Sequence, residues 1–289
     1  MAREMIRETR PTRFFDLVQL MGLSHGTDVW KGNAQDLIRN GVCTLEEVIG
    51  CRDSIMTWLI YNGLPSKSAF DIMERVRKGK GLMTEQEDLM REKGVPEWYI
   101  DSCKKIRYMF PKAHAAAYTI SSLRIAWFKV YRPEEYYCAY FTVRADEFDS
   151  QLMTSGIATV RRERERIQAA FRDETDRNQK VFYILEIIEE MYLRGISFLP
   201  VDLYLSDARL FLDEGAGRIR PPLAAVPGIS KALAEGIVNA RPGGPFKSRD
   251  ELSVRAGLGN AAIESLAATG CLKGIPESAQ MDLFELLGG

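Results

Sequence analysis

Residues Val226–Arg241, VPGISKALAEGIVNAR, are the stretch that most constrains the fold and the function. Gly228 permits a tight turn, and apolar residues then recur at helical spacing, which predicts a turn followed by a helix. The amides and the dipole at the start of such a helix can hold a phosphate, and Lys231 adds a positive charge. We therefore expect Gly228, Ile229, Ser230 and Lys231 to contact the phosphate backbone of DNA without reading its sequence.

A second, degenerate copy of this pattern lies at 256–272, AGLGNAAIESLAATGCL, with Gly257, Leu258 and Gly259 as its turn. The two copies together resemble a tandem helix-hairpin-helix unit, so Gly257 and Gly259 join the candidate DNA-binding residues. The alternative is that Pro-Gly-Ile-Ser merely caps a helix. The presence of two copies favours DNA binding over that alternative.

The composition is that of a globular protein, with 289 residues, 46% of them apolar, and a net charge of −1. Residues 103–132 nevertheless hold seven Lys or Arg and no Asp or Glu, which indicates a surface for a polyanion. The five cysteines are scattered without CxxC spacing, which argues against a disulfide framework and a zinc site. Neither a membrane span nor a secretory signal is apparent, so we expect a cytoplasmic protein with no membrane partner.

The remaining pattern is mainly helical. Thr44 and Glu47 form a capping-box pattern ahead of an apolar stripe, and Thr84 is expected to cap the helix in TEQEDLMREKG. Proline residues punctuate the first half, and two charged helices are expected after Asp149. The stretch 196–222 changes to short β-prone runs, which is the only convincing strand region. We therefore predict a mainly α fold with one small β element.

The helix predicted in KAHAAAYTISSLRIAWFKVY carries a polar and aromatic stripe. His114, Tyr118, Ser121 and Ser122 recur at i, i+4, i+7 and i+8, and Lys112 precedes them. A base pair could stack on this smooth face while His114 or Lys112 reaches a triphosphate. The alternative, which these residues alone favour, is a helix that packs through its alanines and leaves its charges in solvent.

A polar, glycine-rich loop is predicted in GLSHGTDVWKGNAQ, where Ser24 and His25 could position a ligand. An ordinary loop is the alternative, and a Ser-His-Asp triad with Asp28 is disfavoured because such near neighbours seldom converge. Lys31 lacks the frame of a P-loop. No paired carboxylates stand in the setting that metal-assisted nucleotidyl transfer needs, so we assign no catalytic and no metal-binding residue.

The stretch Gln280–Phe284, QMDLF, places a Leu-Phe pair on a polar tail. An exposed apolar pair usually indicates that a partner supplies its pocket, with Gln280, Met281, Leu283 and Phe284 as the contacts. The alternative is a short helix in which Leu283 and Phe284 pack on the last domain.

The stretch 110–149, FPKAHAAAYTISSLRIAWFKVYRPEEYYCAYFTVRADEFD, closely resembles the fingers region of bacterial DNA polymerase III alpha subunits. With GLSHGTDVWKGNAQ, EVIGCRDSIM and VPEWYIDSCKKIRYMF it is similar to the C-terminal part of the PolC type, and QMDLF is similar to that family's sliding-clamp motif. The resemblance implies a DNA-directed DNA polymerase that uses dNTPs, primer-template DNA and two metal ions. It also implies that Mg²⁺ and the catalytic Asp residues belong to a palm domain absent from this chain, which should be inactive alone.

The same resemblance implies a division of the chain: 1–147 as a helical fingers region, 148–275 as a duplex-binding region, and 276–289 as a clamp-binding tail. The duplex-binding region would hold the strand segment 196–222 and the tandem helix-hairpin-helix 223–275. It also implies substrate-positioning roles for five residues in the fingers: Ser24, His25, Lys112, His114 and Tyr118.

The implied partners are dNTP, primer-template DNA, the β sliding clamp and the palm-bearing remainder of the polymerase, in the bacterial cytoplasm at the nucleoid. A competing hypothesis is a non-enzymatic adaptor that binds DNA and the clamp through the same parts. A helix-hairpin-helix repair enzyme is a third possibility, but its usual Lys or Asp after the second helix has no convincing match here.

Overall fold

The computed structural model describes residues 2–278, apart from the side chain of Asp146. Within that range the chain forms fifteen α-helices and one small three-stranded sheet. This confirms the predicted mainly α fold class with a small β element. The chain divides into two compact units, 1–126 and 127–289.

The first unit is helical throughout, and its helices pack around one apolar core that includes Leu23, Ile55, Ile72 and Tyr99. Between α2 and α3, the chain makes a kinked turn at Trp30–Ala34. The helices are α1 (Ala2–Thr9), α2 (Phe14–His25), α3 (Gln35–Arg39), α4 (Arg52–Tyr61), α5 (Ser66–Arg77), α6 (Thr84–Glu92), α7 (Glu97–Lys105) and the first part of α8 (Lys112–Tyr131).

Two predicted helix starts are shifted. Glu47 does accept the backbone N–H of Thr44 at 2.7 Å, but this closes only a single turn, and α4 begins at Arg52. The helix fails to continue because Val48 and Ile49 turn into the core instead of following the helical stripe. Thr84 is the first residue of α6 rather than its cap, since the chain is still extended at the residue before it.

The second unit begins with a bundle of helices against the sheet. Strand β3 (Arg218–Arg220) lies between β1 (Ser197–Phe198), which is parallel to it, and β2 (Leu212–Asp213), which is antiparallel. All three strands lie in the predicted 196–222 segment, and the buried Arg220 donates to Glu214 at 2.7 Å. The helices are the rest of α8, α9 (Pro133–Val143), α10 (Ser150–Met153), α11 (Ile157–Ala169) and α12 (Asp176–Leu193).

The last part of the second unit has its own core, which includes Leu223, Ile237, Leu252 and Leu266. Its helices are α13 (Lys231–Ala240), α14 (Arg249–Ala256) and α15 (Asn260–Ala268), with 3-10 turns at Leu223–Ala225 and Arg241–Gly243. Another 3-10 turn, Ala145–Glu147, follows α9.

The boundary between the compact units does not coincide with the division predicted at 147. Tyr137 and Phe141 of α9 are fully buried in a core that also contains Phe148 and Ile188. Residues 133–147 therefore fold with the second unit, and the division into fingers, duplex-binding and tail regions stays a prediction about function.

Candidate nucleotide and DNA interfaces

Four aromatic rings from three segments form a continuous row on the first unit. The ring centroids of His25 and Phe110 are 5.3 Å apart, those of Phe110 and His114 are 4.6 Å apart, and those of His114 and Tyr118 are 4.4 Å apart. Such distances are those of favourable aromatic pairs. The structure therefore brings His25, His114 and Tyr118 together, as the predicted set requires.

The packing of α8 explains how these rings reach the surface. Ala115 is fully buried and packs with Val18 and Cys51, whereas Tyr118 is 54% exposed. One face of the helix therefore packs through Ala115, while another face presents His114 and Tyr118, and the nucleotide role of that second face stays a prediction. The buried Ala115 and Thr119 fix the rotation of the helix, and that rotation leaves Tyr118 exposed.

Ser24 and His25 lie in the last turn of α2, so the expectation of a loop at these residues is wrong. His25 Nδ1 is 3.0 Å from the carbonyl oxygen of Met21 and 2.9 Å from Ser24 Oγ. A carbonyl oxygen only accepts, so a hydrogen bond between Nδ1 and Met21 requires the proton on Nδ1. Ser24 Oγ in turn donates to the Met21 carbonyl at 3.0 Å, which orders both side chains.

Close packing of α2 depends on a glycine. A Cβ on Gly22 would lie 2.4 Å from the carbonyl oxygen of Gly50 and 2.6 Å from Cys51 Sγ. No side chain can be added there without moving the backbone, so Gly22 allows α2 to approach the segment that leads into α4. This approach sets the position of Ser24 and His25 two and three residues later.

Lys112 stands at the start of α8, as predicted. Its backbone N–H donates to Asp53 Oδ2 at 2.7 Å, and its Nζ lies 5.1 Å from the centroid of the Phe15 ring. The exposed ammonium therefore has an aromatic neighbour, while Asp53 compensates the amide at the helix start. The carbonyl of Phe110 accepts from the Arg52 N–H at 3.1 Å, which ties the same region to the start of α4.

Phe110 is a site residue that the sequence reasoning missed. It is half-buried and joins His25 to His114, two residues far apart in the chain. The sequence carried one signal for Phe110. This residue directly precedes Pro111 and the predicted helix, so it must lie beside the first turn of that helix. We regard it as the centre of the aromatic row.

The first predicted hairpin has the expected geometry at Gly228. Its φ of +86° belongs to the left-handed region, and a Cβ there would lie 3.0 Å from Ser265 Oγ of α15. Ser230 caps α13, with its Oγ accepting the Leu233 N–H at 3.3 Å and its carbonyl accepting the Ala234 N–H at 2.9 Å. These bonds hold the start of α13 in a fixed direction.

Not every predicted residue of this hairpin can contact DNA in the same way. The side chain of Ile229 is buried, and its N–H donates to the carbonyl of Val226 at 3.0 Å. Ile229 therefore anchors the turn to the core. Lys231 is the first residue of α13 and is exposed, so it stands at the end of the helix where the dipole favours an anion.

The second hairpin joins α14 to α15. Gly257 has a φ of +67° and caps α14, and Gly259 is the residue before α15. Leu258 between them is buried, and its N–H donates to the Ser253 carbonyl at 2.9 Å. The two hairpins are thus built alike, each with one buried apolar residue inside a glycine-containing turn.

The thiols offer no chemistry. Burial raises the pKa of both Cys43 and Cys51 to about 11, which keeps them protonated near neutral pH. All five cysteines, in the part of the chain that the structure describes, are free thiols. Among residues 2–278 there is also no group of three or more His, Cys, Asp or Glu side chains placed to hold a metal ion.

Two further points concern predicted partners. The residues Gln280, Met281, Leu283 and Phe284 lie outside the described residues, so the clamp-binding motif stays a prediction. None of the helices between residues 2 and 278 combines the length and the apolar character needed to cross a membrane.

Comparison with known proteins finds family matches for two parts of the chain. Residues 1–96 match the bacterial DNA polymerase III alpha subunit finger domain, and residues 195–281 match a helix-hairpin-helix motif. The second match includes the strand segment as well as both hairpins. The first third of the chain is therefore similar to a polymerase III finger domain, and the last third is similar to a helix-hairpin-helix motif.

The relatives extend this result to the whole chain. It is 51% identical over 282 residues to the PolC-type DNA polymerase III of Bacillus subtilis, 50% identical over 282 residues to that of Clostridium perfringens, and 48% identical over 284 residues to that of Staphylococcus aureus. Each match covers 98% of this chain but only 19–20% of the relative. The chain is homologous to part of PolC-type DNA polymerase III, which confirms the predicted resemblance.

Proposed function

We propose that this chain is the fingers, duplex-binding and clamp-binding portion of a replicative DNA-directed DNA polymerase. The observation that carries the proposal is the aromatic row from His25 through Phe110 and His114 to Tyr118, which combines hydrogen-bonding and stacking groups on one exposed surface. Its ring faces suit the nascent base pair, which is flat and apolar on its faces. The homology to PolC-type polymerases supports the same role.

Each predicted substrate-positioning residue has a proposed task. His114 and Tyr118 contact the incoming nucleotide, and Lys112, the first residue of α8 and two residues before His114, binds the triphosphate. His25 offers its imidazole ring, and Ser24 Oγ, 2.9 Å from Nδ1, holds that ring in place. These residues bind and orient the substrate, and none of them is proposed as a general acid or base.

The metal chemistry of such a polymerase would come from elsewhere. PolC-type relatives imply a divalent metal in their catalytic part, which we propose to be Mg²⁺ held by the carboxylates of a palm domain. The residues described here do not fit that role, because none of their acidic groups converge in threes. We therefore derive no step through the metal in this chain.

The two hairpins are proposed to bind the phosphate backbone of primer-template duplex. Gly228 and Gly257 provide the turns, Gly259 precedes α15, and Ser230 and Lys231 stand at the start of α13. The short motif at 280–284 is proposed to dock on the β sliding clamp. Together these contacts would keep the polymerase on its template in the bacterial cytoplasm, at the nucleoid.

Primer extension tests the proposal against the adaptor alternative. A polymerase assembled from this chain and the palm-bearing portion of a PolC-type relative should extend a primer with dNTPs and Mg²⁺, whereas this chain alone should not. Failure of the assembled protein, under conditions in which the intact relative is active, would favour a non-enzymatic adaptor. Template-dependent extension by the purified chain alone would contradict the assignment of catalysis to the palm.

A further inference from the structure

The run of cations in 103–132 separates into two groups in the structure. Among residues 2–278, no carboxylate lies within ion-pair distance of four exposed cations of the run: Lys105, Arg107, Lys112 and Arg124. Other cations of the run are neutralised by acids, at nitrogen-to-oxygen distances of 2.6–3.4 Å: Lys104 by Glu87, Lys129 by Glu190, and Arg132 by Glu135.

Lys105 and Arg107 connect two loops that each carry a further lysine. Lys105 Nζ donates to the carbonyl of Gly32 at 3.0 Å, and Arg107 Nη1 donates to the carbonyl of Gly79 at 3.4 Å. Lys31 directly precedes Gly32, and Lys80 directly follows Gly79. The four cations therefore come from three segments that are in contact with one another.

The backbone keeps this arrangement rigid. The Arg107 N–H donates to the Thr27 carbonyl at 3.1 Å, and the Thr27 N–H donates to the Tyr108 carbonyl at 3.0 Å. Ile106 and Met109 are buried, so Lys105, Arg107 and Tyr108 are the residues that this segment presents to solvent.

Tyr108 adds an aromatic platform to these cations. Its side chain is 46% exposed, and its ring lies 6.2 Å from that of Phe110, edge to face. The aromatic row of the proposed nucleotide site therefore continues onto the basic segment. We name Lys31, Lys80, Lys105, Arg107 and Tyr108 the basic surface.

Acids next to the basic surface offset part of its charge. Within the three segments 27–32, 78–81 and 105–108, Asp28 lies on the same loop as Lys31, and Lys80 lines one pocket with Asp71 and Glu74. Lys78 also belongs to these segments, but it pairs with Glu74 at 2.8 Å, so we leave it out of the surface. The local positive potential therefore comes mainly from Lys31, Lys105 and Arg107, within a protein of net charge −1.

We propose that the basic surface binds single-stranded DNA, with its cations on successive phosphates and a base stacked on Tyr108. Non-specific binding of single strands combines a cationic track with aromatic rings in this way, because every unpaired base offers a π-face. A duplex keeps its bases stacked inside and could not use the Tyr108 ring. Single-strand binding itself does not depend on the proposed polymerase function. Only the identity of the strand rests on that function, and the strand would be the unpaired template next to the nucleotide site.

Fluorescence anisotropy with the 289-residue chain, a labelled 20-nucleotide oligo-dT and a 20-base-pair duplex tests this proposal. Replacing Lys80, Lys105 and Arg107 by Gln should weaken single-strand binding and reduce the slope of log K against log salt by about 2, since each phosphate contact contributes about 0.7. Tyr108→Ala should weaken single-strand binding about tenfold, whereas Tyr108→Phe should retain most of it. Duplex binding should change little in all three variants.

Matched controls come from another part of the same unit. Lys67→Gln and Tyr61→Ala change an exposed lysine and an exposed tyrosine outside the three segments, and both should bind oligo-dT like the parent chain. Equal losses for oligo-dT and duplex would overturn the single-strand assignment, and parent-like binding by Tyr108→Ala would do the same. If the triple variant does not fold, the comparison of Tyr108→Ala with Tyr108→Phe still tests whether a base stacks on the Tyr108 ring. No dNTP is present in this assay, so failure of the nucleotide proposal would leave its result unaffected.

Discussion

The rings of His114 and Tyr118 lie 4.4 Å apart on successive turns of α8. Their contact joins an exposed tyrosine to a half-buried imidazole that also touches Phe110. Removing either ring therefore changes the surface proposed to meet the base pair, while the face of the helix that packs through Ala115 stays in place.

We expect His114→Ala and Tyr118→Ala to lower kcat/KM for dNTP incorporation by at least tenfold in the assembled polymerase. Affinity for primer-template should change little, because the proposed duplex contacts lie in the hairpins. Steady-state primer extension and anisotropy measure the two quantities on the same preparations. Tyr61→Ala, which changes another exposed tyrosine, is the control. Normal kinetics together with a loss of stability would show that the two rings serve packing alone.

Phe110 should act through its neighbours. Phe110→Ala removes the ring between His25 and His114, so we expect the KM for dNTP to rise while the unfolding midpoint falls. Phe110→Tyr keeps a ring of the same shape and should restore KM. A variant Phe110→Ala that loses stability but keeps the parent KM would restrict this residue to a structural role.

The next prediction concerns the hairpin that contains Gly228. Gly228→Val places a β-branched side chain at a φ of +86° and against Ser265 Oγ, so the turn should distort and the affinity for all duplexes should fall alike. Gly63→Val is a matched control, because Gly63 also has a positive φ, +86°, with no neighbour near an added Cβ, and it lies outside both hairpin stretches. Both variants should lose stability, but only the first should lose DNA binding. Loss of affinity for some sequences and not others would contradict backbone recognition.

The stability of α2 should depend on Asp16 and on pH. Hydrogen bonds from the Arg13 side chain and from the Thr12 and Arg13 amides lower the pKa of Asp16 to about 2. A lowered folded-state pKa means that the stabilisation is fully present above the ordinary value of 3.8 and is lost as the pH falls through about 2. Asp16→Asn should therefore melt below the parent at pH 7, and the difference should shrink towards pH 2.

Thermal unfolding followed at pH 7, 4 and 2.5 measures this effect. Asp101→Asn, which changes an exposed carboxylate of α7 that makes no side-chain hydrogen bond within residues 2–278, is the control and should follow the parent at every pH. A melting difference for Asp16→Asn that stays constant across this range would mean that the carboxylate charge does not contribute.

Local patterns predicted those parts of the fold that depend on neighbouring residues. Pro111 and Pro133 correctly bounded α8, and Gly228 correctly marked a left-handed turn, because each residue restricts its own backbone. The capping pattern at Thr44 formed its hydrogen bond but not its helix, since burial of Val48 and Ile49 was stronger than the local signal. That burial depends on distant segments and leaves no mark in a short window.

The candidate site shows the same limit of local patterns, which do not reveal contacts between distant residues. The spacing on α8 correctly put His114 and Tyr118 on one face, but the contact between His25 and Phe110 joins residues 85 positions apart and could not be found from spacing. The run of seven cations likewise predicted a uniform surface, yet acids from other elements neutralise some of them. Tertiary pairing, which the sequence does not display, decided which charges stay available.

The clamp motif gives the last prediction. We expect a peptide spanning residues 277–287 to bind the isolated β sliding clamp with modest affinity, because a short free peptide must lose conformational entropy on binding. Leu283 and Phe284 would fill the pocket, Gln280 would fix the register by hydrogen bonds, and Met281 would add a flexible apolar contact. Phe284→Ala should abolish saturable binding in calorimetry, whereas Asp282→Ala, whose side chain should point to solvent, should bind like the parent.

Tethering would turn this modest affinity into processivity. A clamp and a polymerase held on one DNA have a high effective concentration, so the same Phe284→Ala change should shorten extension products of the assembled polymerase when the clamp is loaded. Without the clamp, the parent and the variant should give products of equal length. Binding that is indifferent to Phe284→Ala, or products that are shortened equally with and without the clamp, would instead favour a tail that packs on its own domain.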